Sequence, residues 1–306
     1  MSTLHPPDEW ETLPADATYE KALLRHCRYR NTVLTNLHLE FGCPQHWAQF
    51  VGRPTDVVVA SFPQSGGSWL QELVWRLVTG GQSSAGSGAS AVPQQHRFPL
   101  LDAPPENTFM ATVPLEEVAD PRMIRTHLPY HLLPSGVLSS GAKLLYVSRD
   151  PRDVCVSYYH FSRRFGPHLY SGSFTEFRDS FTRGEVTYGP YREHVRGYQR
   201  HAATVLCITY EQLQTERAAV VRRVAEFLER PVTDRQVDEI VRQTSTDVMR
   251  ADPGSNYHHW EQAGTVAGGG DAFEQEDAAG NWRKYFTEEE SETFLKWASE
   301  EVALPS

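Results

Sequence analysis

A chain of 306 residues, 40% hydrophobic and 22% charged, is long enough to bury a substantial core, as one large α/β domain or two small ones. Its formal net charge of −10 argues against a nucleic-acid binder, so any anion site must be a local basic pocket. The polar, acidic start MSTLHPPDEWETLPADATYE has no apolar leader core, and no apolar run reaches the about 18 residues a membrane span needs, so secretion and a membrane partner are not expected. Residues 1–18 read as a loose arm, and a short helix is expected from Tyr19 to Cys27. DVVVASF (56–62) reads as a strand buried on both faces, because its β-branched residues run on without alternation. GSWLQELVWRLVTG reads as the following helix, with Leu70, Leu73, Val74 and Leu77 on one face. GGQSSAGSGASAV (80–92) reads as a flexible loop.

PRMIRTH (121–127) and AKLLYVSR (142–149) read as further strands. DPRDVCVSYYHFSRRF (150–165) reads as a helix with Asp150 as N-cap, Pro151 at its first position and Asp153 in its first turn. Helices are expected at 174–183 and 188–202, a strand at 204–210, and helices at 211–230, 233–245 and 288–304. A Gly- and acid-rich stretch covers 264–280. Strands alternating with helices predict an α/β fold with a central parallel sheet covered by helices. Cys27, Cys43, Cys155 and Cys207 are scattered, with no CxxC pair, which fits reduced thiols in a cytoplasmic protein. No His/Cys cluster has ligand spacing, so no metal is expected.

The chemistry concentrates at SFPQSGGSW (61–69), where a strand runs through a Gly-rich turn into a helix. That is a P-loop-like cradle, in which backbone N–H groups and a helix N-terminus hold a phosphate. Such cradles commonly add a lysine; here the corresponding position is Gln64. The loop also lacks the GK[ST] of nucleotide kinases, and no Mg²⁺ carboxylate stands out at a strand end, so ATP chemistry is poorly supported.

FPQSGGSW resembles the YPKSGTTW phosphosulfate loop of the cytosolic sulfotransferases, which use 3′-phosphoadenosine 5′-phosphosulfate (PAPS) as co-substrate. PRMIRTHLPYHLLP is similar to that family's PRxxKTHLPxxLLP, and YVSRDPRDVCVSYYHF to its YVxRNxKDxxVSxYHF. FTRGEVTYGPYREHVRGY, VLCITYEQL and GNWRKYFT continue the likeness in order, over roughly residues 40–295. The resemblance implies a single sulfotransferase domain over 19–306 that moves a sulfuryl group from PAPS to a hydroxyl or amine of a small, hydrophobic acceptor. It implies that His127 is the catalytic base, a task suited to a side chain that titrates near neutrality. It places Arg125 where the family has the lysine of KTHLP, and Gln64 at the phosphosulfate lysine. It gives Ser65, Gly66, Gly67 and Ser68 to the phosphosulfate loop, and Arg149 and Ser157 to the 3′-phosphate. Trp69, Tyr210 and Thr244 match residues that pack on or close over adenine. Arg152, Arg163 and Arg164 are expected on the solvated helix face. Read without the resemblance, His127 is a hydrogen-bonded strand-end histidine, Arg149 a surface partner of Asp150 or Asp153, and Trp69 core packing.

The sequence departs from the family at charged positions. Gln64 donates a hydrogen bond but carries no charge. Thr246 replaces the phenylalanine of the TSF segment. Gln275, Glu276 and Asp277 align with the RKG triplet that clamps the 3′-phosphate, and no Lys or Arg occurs between Arg250 and Arg283. Arg283 and Lys284 are the nearest cations that could reach in. The family dimer patch is blurred in RKYFTEEESE, with Glu288 where Val belongs, which puts a homodimer in doubt. Two readings stay open: an active sulfotransferase, or a degenerate one with weak or no PAPS binding that serves as a ligand- or partner-binding module.

Overall fold

In the computed structural model, residues 10–14, 17–19, 24–80, 92–103, 113–255 and 279–300 are described. The apolar run expected as a doubly buried strand forms β4 (Val57–Ser61), every residue of which is buried. Its side chains divide between two cores. Val58 and Ala60 join Ile124, Leu144, Tyr146 and Val154 on one face. Val57 and Val59 join Leu70, Leu73, Leu145, Val147 and Ile208 on the other. Unbroken hydrophobicity is what a strand covered on both faces requires.

β4 pairs in parallel with β5 (Met123–Thr126) and β6 (Lys143–Ser148), and β6 with β7 (Val205–Thr209), giving the order β5-β4-β6-β7. Helices α3 (Gly67–Val78), α6 (Pro151–Arg164), α7 (Phe174–Arg183) and α8 (Tyr191–Gln199) follow in chain order, with the short α4 (Gln94–Arg97) and α5 (Ser135–Ser139) between. After β7 come α9 (Tyr210–Thr215), α10 (Arg217–Phe227), α11 (Asp234–Gln243), α12 (Thr246–Ala251) and α13 (Glu288–Ser299). Thr209, Thr233, Ser173 and Thr287 begin helices with capping boxes, and Asp150 caps α6 by accepting from Arg152 N at 2.9 Å.

The N-terminal region differs from expectation. Of the helix expected from Tyr19 to Cys27, residues 20–23 lie outside the described residues, and His26 and Cys27 belong instead to β2 (His26–Tyr29), which pairs with β3 (Thr32–Thr35) in a hairpin. Its two-residue turn, Arg30-Asn31, has positive φ at both positions (45° and 65°), as a tight hairpin of the twisted kind demands. Within the stretch expected as an arm, β1 (Trp10–Thr12) pairs with β2 to complete a three-stranded antiparallel sheet. Two short helices, α1 (Asn36–Glu40) and α2 (Cys43–Gln49), lead from β3 towards β4. The helix expected over 211–230 is two helices, broken at Glu216, whose φ of −128° is not helical. The helix expected from 188 starts only at Tyr191, after Pro190.

All four cysteines are free thiols; burial pushes those of Cys27 and Cys43 up to about 12. Among the described residues no helix is long and apolar enough to cross a membrane, and no group of His, Cys, Asp or Glu is arranged to hold a metal.

Candidate active site

Between the end of β4 and Gly67, the first residue of α3, the chain makes a tight anion cradle. Trp69 N and Leu70 N close the first helical turn on Gly66 O at 3.1 and 3.2 Å, and the amides ahead of them lie at the positive end of the helix. Gly66 has φ +94°, and a Cβ there would lie 2.6 Å from Tyr210 Cδ2, so only glycine fits. A Cβ on Gly67 would meet Ser61 Oγ at 2.6 Å. The Ser65 side chain is fully buried, and its hydroxyl has no hydrogen-bond partner among the described residues. A buried donor without an acceptor, beside the N-terminus of a helix, fits a bound phosphate or sulfonate oxygen. Ser68 is held from outside: its carbonyl accepts from Gln94 Nε2 at 2.8 Å.

The residues matched to the 3′-phosphate converge on Gln64. Arg149 is 5% and Ser157 4% exposed. Arg149 Nη1 donates to the Gln64 carbonyl at 3.2 Å, and Ser157 Oγ donates to Gln64 Oε1 at 3.0 Å. One sits just past the end of β6 and the other two turns into α6, so the β6–α6 connection faces the β4–α3 loop. Arg149 is therefore buried and not on the surface, although Asp153 feels its charge; its guanidinium lies 4.3 Å from the Tyr210 ring centroid.

Trp69, Tyr210 and Thr244 also meet. Trp69 Nε1 donates to the Thr244 carbonyl at 2.8 Å, and the Trp69 and Tyr210 ring centroids lie 5.3 Å apart. Thr244 takes part through its main chain, since its hydroxyl donates back to Ile240 O at 2.8 Å. Arg217, which no motif signalled, stacks its guanidinium 4.7 Å from the Trp69 ring. Thr246 is exposed at the start of α12.

His127 follows β5, and its ring sits against the other end of the cradle. Its Nδ1 is 2.8 Å from the Ser61 carbonyl, which can only accept, so Nδ1 carries the hydrogen and Nε2 of the neutral ring holds the free lone pair. The His127 N–H donates to Asp102 Oδ2 at 2.8 Å, and the Thr126 hydroxyl donates to Asp102 Oδ1. Burial lowers the His127 pKa below the usual histidine value; Asp102 opposes that shift and Arg125 adds to it. Arg125 is half-buried, with Nε donating to Phe98 O at 3.1 Å.

The start of α6 is clamped to the segment before α13. Asp153 accepts from Gly280 N at 2.7 Å and Trp282 N at 3.1 Å. Arg152 is not on a solvated face: it is paired with Asp150 and Ser291 and lies 3.7 Å from the Trp282 ring centroid, because Trp282 packs over it. Arg283 stacks on the outside of the same ring at 4.5 Å and turns to Gly280 O, so it does not reach the cradle. Gln275, Glu276 and Asp277 lie outside the described residues, as do most of 80–92 and 264–280.

Residues 54–304 match the model of the sulfotransferase domain. The chain is 31% identical over 249 residues to human sulfotransferase 1E1, covering 81% of this chain and 83% of that one. It is 29% identical over 258 residues to rat sulfotransferase 1 family member D1, covering 82% and 85%. Among solved structures it is similar to retinol dehydratase in a complex with retinol and PAP, with a TM-score of 0.81 and 25% identity over 98% of this chain and 100% of that one. The Gly-rich loop, with His127 at one end and Arg149 and Ser157 at Gln64, thus stands on a chain that belongs to the sulfotransferase family.

Proposed function

We propose that the protein is a PAPS-dependent sulfotransferase acting on a hydroxyl or amine of a small hydrophobic acceptor. One observation carries this reading: a single loop joins the base to the anion site. Its first residue, Ser61, fixes the His127 tautomer, and Gln64 receives both Arg149 and Ser157. The orphaned Ser65 hydroxyl and the α3 amides suit the 5′-phosphosulfate, Arg149 and Ser157 the 3′-phosphate, and Trp69, Tyr210 and Thr244 the adenine. The relatives are sulfotransferases, and the retinol dehydratase structure holds PAP, the desulfated nucleotide, together with an apolar alcohol.

In this reaction the acceptor oxygen forms a bond to sulfur while its proton passes to His127 Nε2. The bond from sulfur to the bridging phosphate oxygen breaks, and PAP leaves with the electron pair. The α3 amides and Gln64 hold the charge that builds on the sulfuryl and the leaving phosphate. Arg125, carrying its charge in a planar form, adds to the field on the His127 side. Free, largely buried thiols suit a reducing cytoplasm.

A second reading, a ligand- or partner-binding module with a degenerate donor site, draws on the neutrality of Gln64 and on Ser157 being hydrogen-bonded to it. Transfer of label from PAPS to a panel of phenols, alcohols and amines tests the proposal. Label transfer that is lost in His127→Ala supports the enzyme, and no transfer together with weak or no PAPS binding supports the module.

A further inference from the structure

Asp102 belongs to none of the matched motifs. Residues 98–103 run along the open side of β5: Arg125 N donates to Pro99 O at 3.0 Å, and Leu101 N to Arg125 O at 2.9 Å. That pairing covers the sheet edge and carries Asp102 to the end of the strand, beside His127. The carboxylate is wholly buried. It receives the His127 N–H and the Thr126 hydroxyl, one on each oxygen, and its charge is felt by the buried Tyr188 hydroxyl. The Thr126 hydroxyl in turn accepts from Leu128 N at 3.0 Å, which turns its own proton towards Asp102. A donor on each oxygen suits a carboxylate that only accepts. Among the described residues no Lys or Arg forms an ion pair with it. A buried negative charge without a cation is costly unless something nearby needs it. His127 becomes a cation when it takes a proton.

We propose that Asp102 is a positioning residue for the base: it fixes the His127 main chain and provides the buried counter-charge for the imidazolium formed during transfer. The inference rests on His127 acting as the base. Asp102 does not touch the ring; it acts through the main-chain N–H and through its field. The other charged or titratable groups around it include Arg125 on β5, which opposes the imidazolium, and His38, Cys43 and Tyr198, all of which feel the Asp102 charge. Tyr188 packs with its ring centroid 5.4 Å from that of His127. His194 on α8 bonds to the His127 carbonyl at 2.9 Å, and burial takes its own pKa down to about 3, so it stays neutral. Asp102 is thus the anion set against the charge that forms on the ring.

Asp102→Asn keeps the shape and removes the charge. The titration of the His127 ring, followed by NMR on the full chain, reads the field directly, and steady-state transfer from PAPS reads its use. The midpoint of His127 is expected to fall by about 1–2 pH units, the change an adjacent opposite charge makes. The acid limb of activity should move with it, kcat should fall roughly tenfold or more as the base weakens, and acceptor KM should hold. An unchanged midpoint overturns the proposal, because a residue that only shapes the loop would leave the ring's titration in place. If the asparagine variant does not fold, Asp102→Glu carries the test: the charge stays but leaves the His127 N–H, so kcat should fall while the midpoint stays near wild type. Unchanged kcat in that variant also overturns it. A shifted midpoint in a protein whose His127→Ala variant keeps full transfer activity would confirm the electrostatic link and reject His127 as the base.

Discussion

The Ser157 hydroxyl donates to Gln64 Oε1 at 3.0 Å, so a neutral carboxamide on the β4–α3 loop is tied to α6, the helix that follows Arg149. The loop conformation does not depend on charge, since Gln64 takes φ +66° within a turn shaped by Gly66 and the Tyr210 ring.

Gln64→Lys is therefore expected to fold as the parent does and to transfer faster. Restoring a cation where charge builds on the sulfuryl and leaving phosphate should raise kcat by about 10²–10³-fold, the range for one donor at a developing anion, if chemistry limits turnover. Steady-state rates with labelled PAPS check this. An unchanged rate would show that charge at this position does not limit the reaction.

Arg149 is buried and braces both the Gln64 carbonyl and the Tyr210 ring. Arg149→Ala should weaken PAP binding by about 2 kcal/mol or more, at least roughly 30-fold in Kd. Calorimetry measures this directly. Because the adenine contacts at Trp69 and Thr244 remain, binding should be weakened and not abolished.

His127→Ala should reduce transfer by about 10²–10⁴-fold while leaving PAP affinity within a factor of a few, since general-base loss acts on chemistry. In the proposed reaction His127 acts as a base in its neutral form. Its pKa is lowered, first by burial, so the neutral form persists below the ordinary histidine value. The acid limb of kcat should accordingly lie below about pH 6.5. A limb above that value would contradict the crowded setting of the ring.

Stability should fall in mild acid. Burial takes His168 and His194 down to about 3 and His38 to about 4, so all three stay neutral in the fold while the unfolded chain protonates them near 6.5. The unfolded state then binds more protons as pH drops. Stability is full above about pH 6.5 and is lost below it, by up to about 1.4 kcal/mol per pH unit for each histidine. Urea midpoints at pH 7.5 and pH 5.5 should differ clearly, the lower belonging to pH 5.5.

Much of this arrangement is readable from the chain itself, for local reasons. β4 declares itself by an unbroken apolar run, α6 by Asp150-Pro151, and the cradle by glycines between a strand and a helix. Residues carried over from the family motifs do come together: Arg149 and Ser157 meet at Gln64, and Trp69 meets Thr244. Other features depend on contacts distant in sequence. Asp102 reaches His127 only because residues 98–103 pair with the edge of β5, a pairing no periodicity signals. Arg217 reaches Trp69 only because α10 packs against α3. The β2–β3 hairpin is hard to read because HCRY of β2 has no β-branched residue and Arg30-Asn31 carries no glycine, although the β-branched TVLT of β3 is a strand signal. Arg152 reads as solvated from its place on the helix; Trp282, far along the chain, covers it.

The most direct test of the account is calorimetric titration of the protein with PAP at low salt, alongside Arg149→Ala. The account predicts micromolar binding to the parent and a clear loss of affinity in the variant. No binding up to millimolar nucleotide would contradict the donor site, and with it the sulfotransferase reaction proposed for this chain.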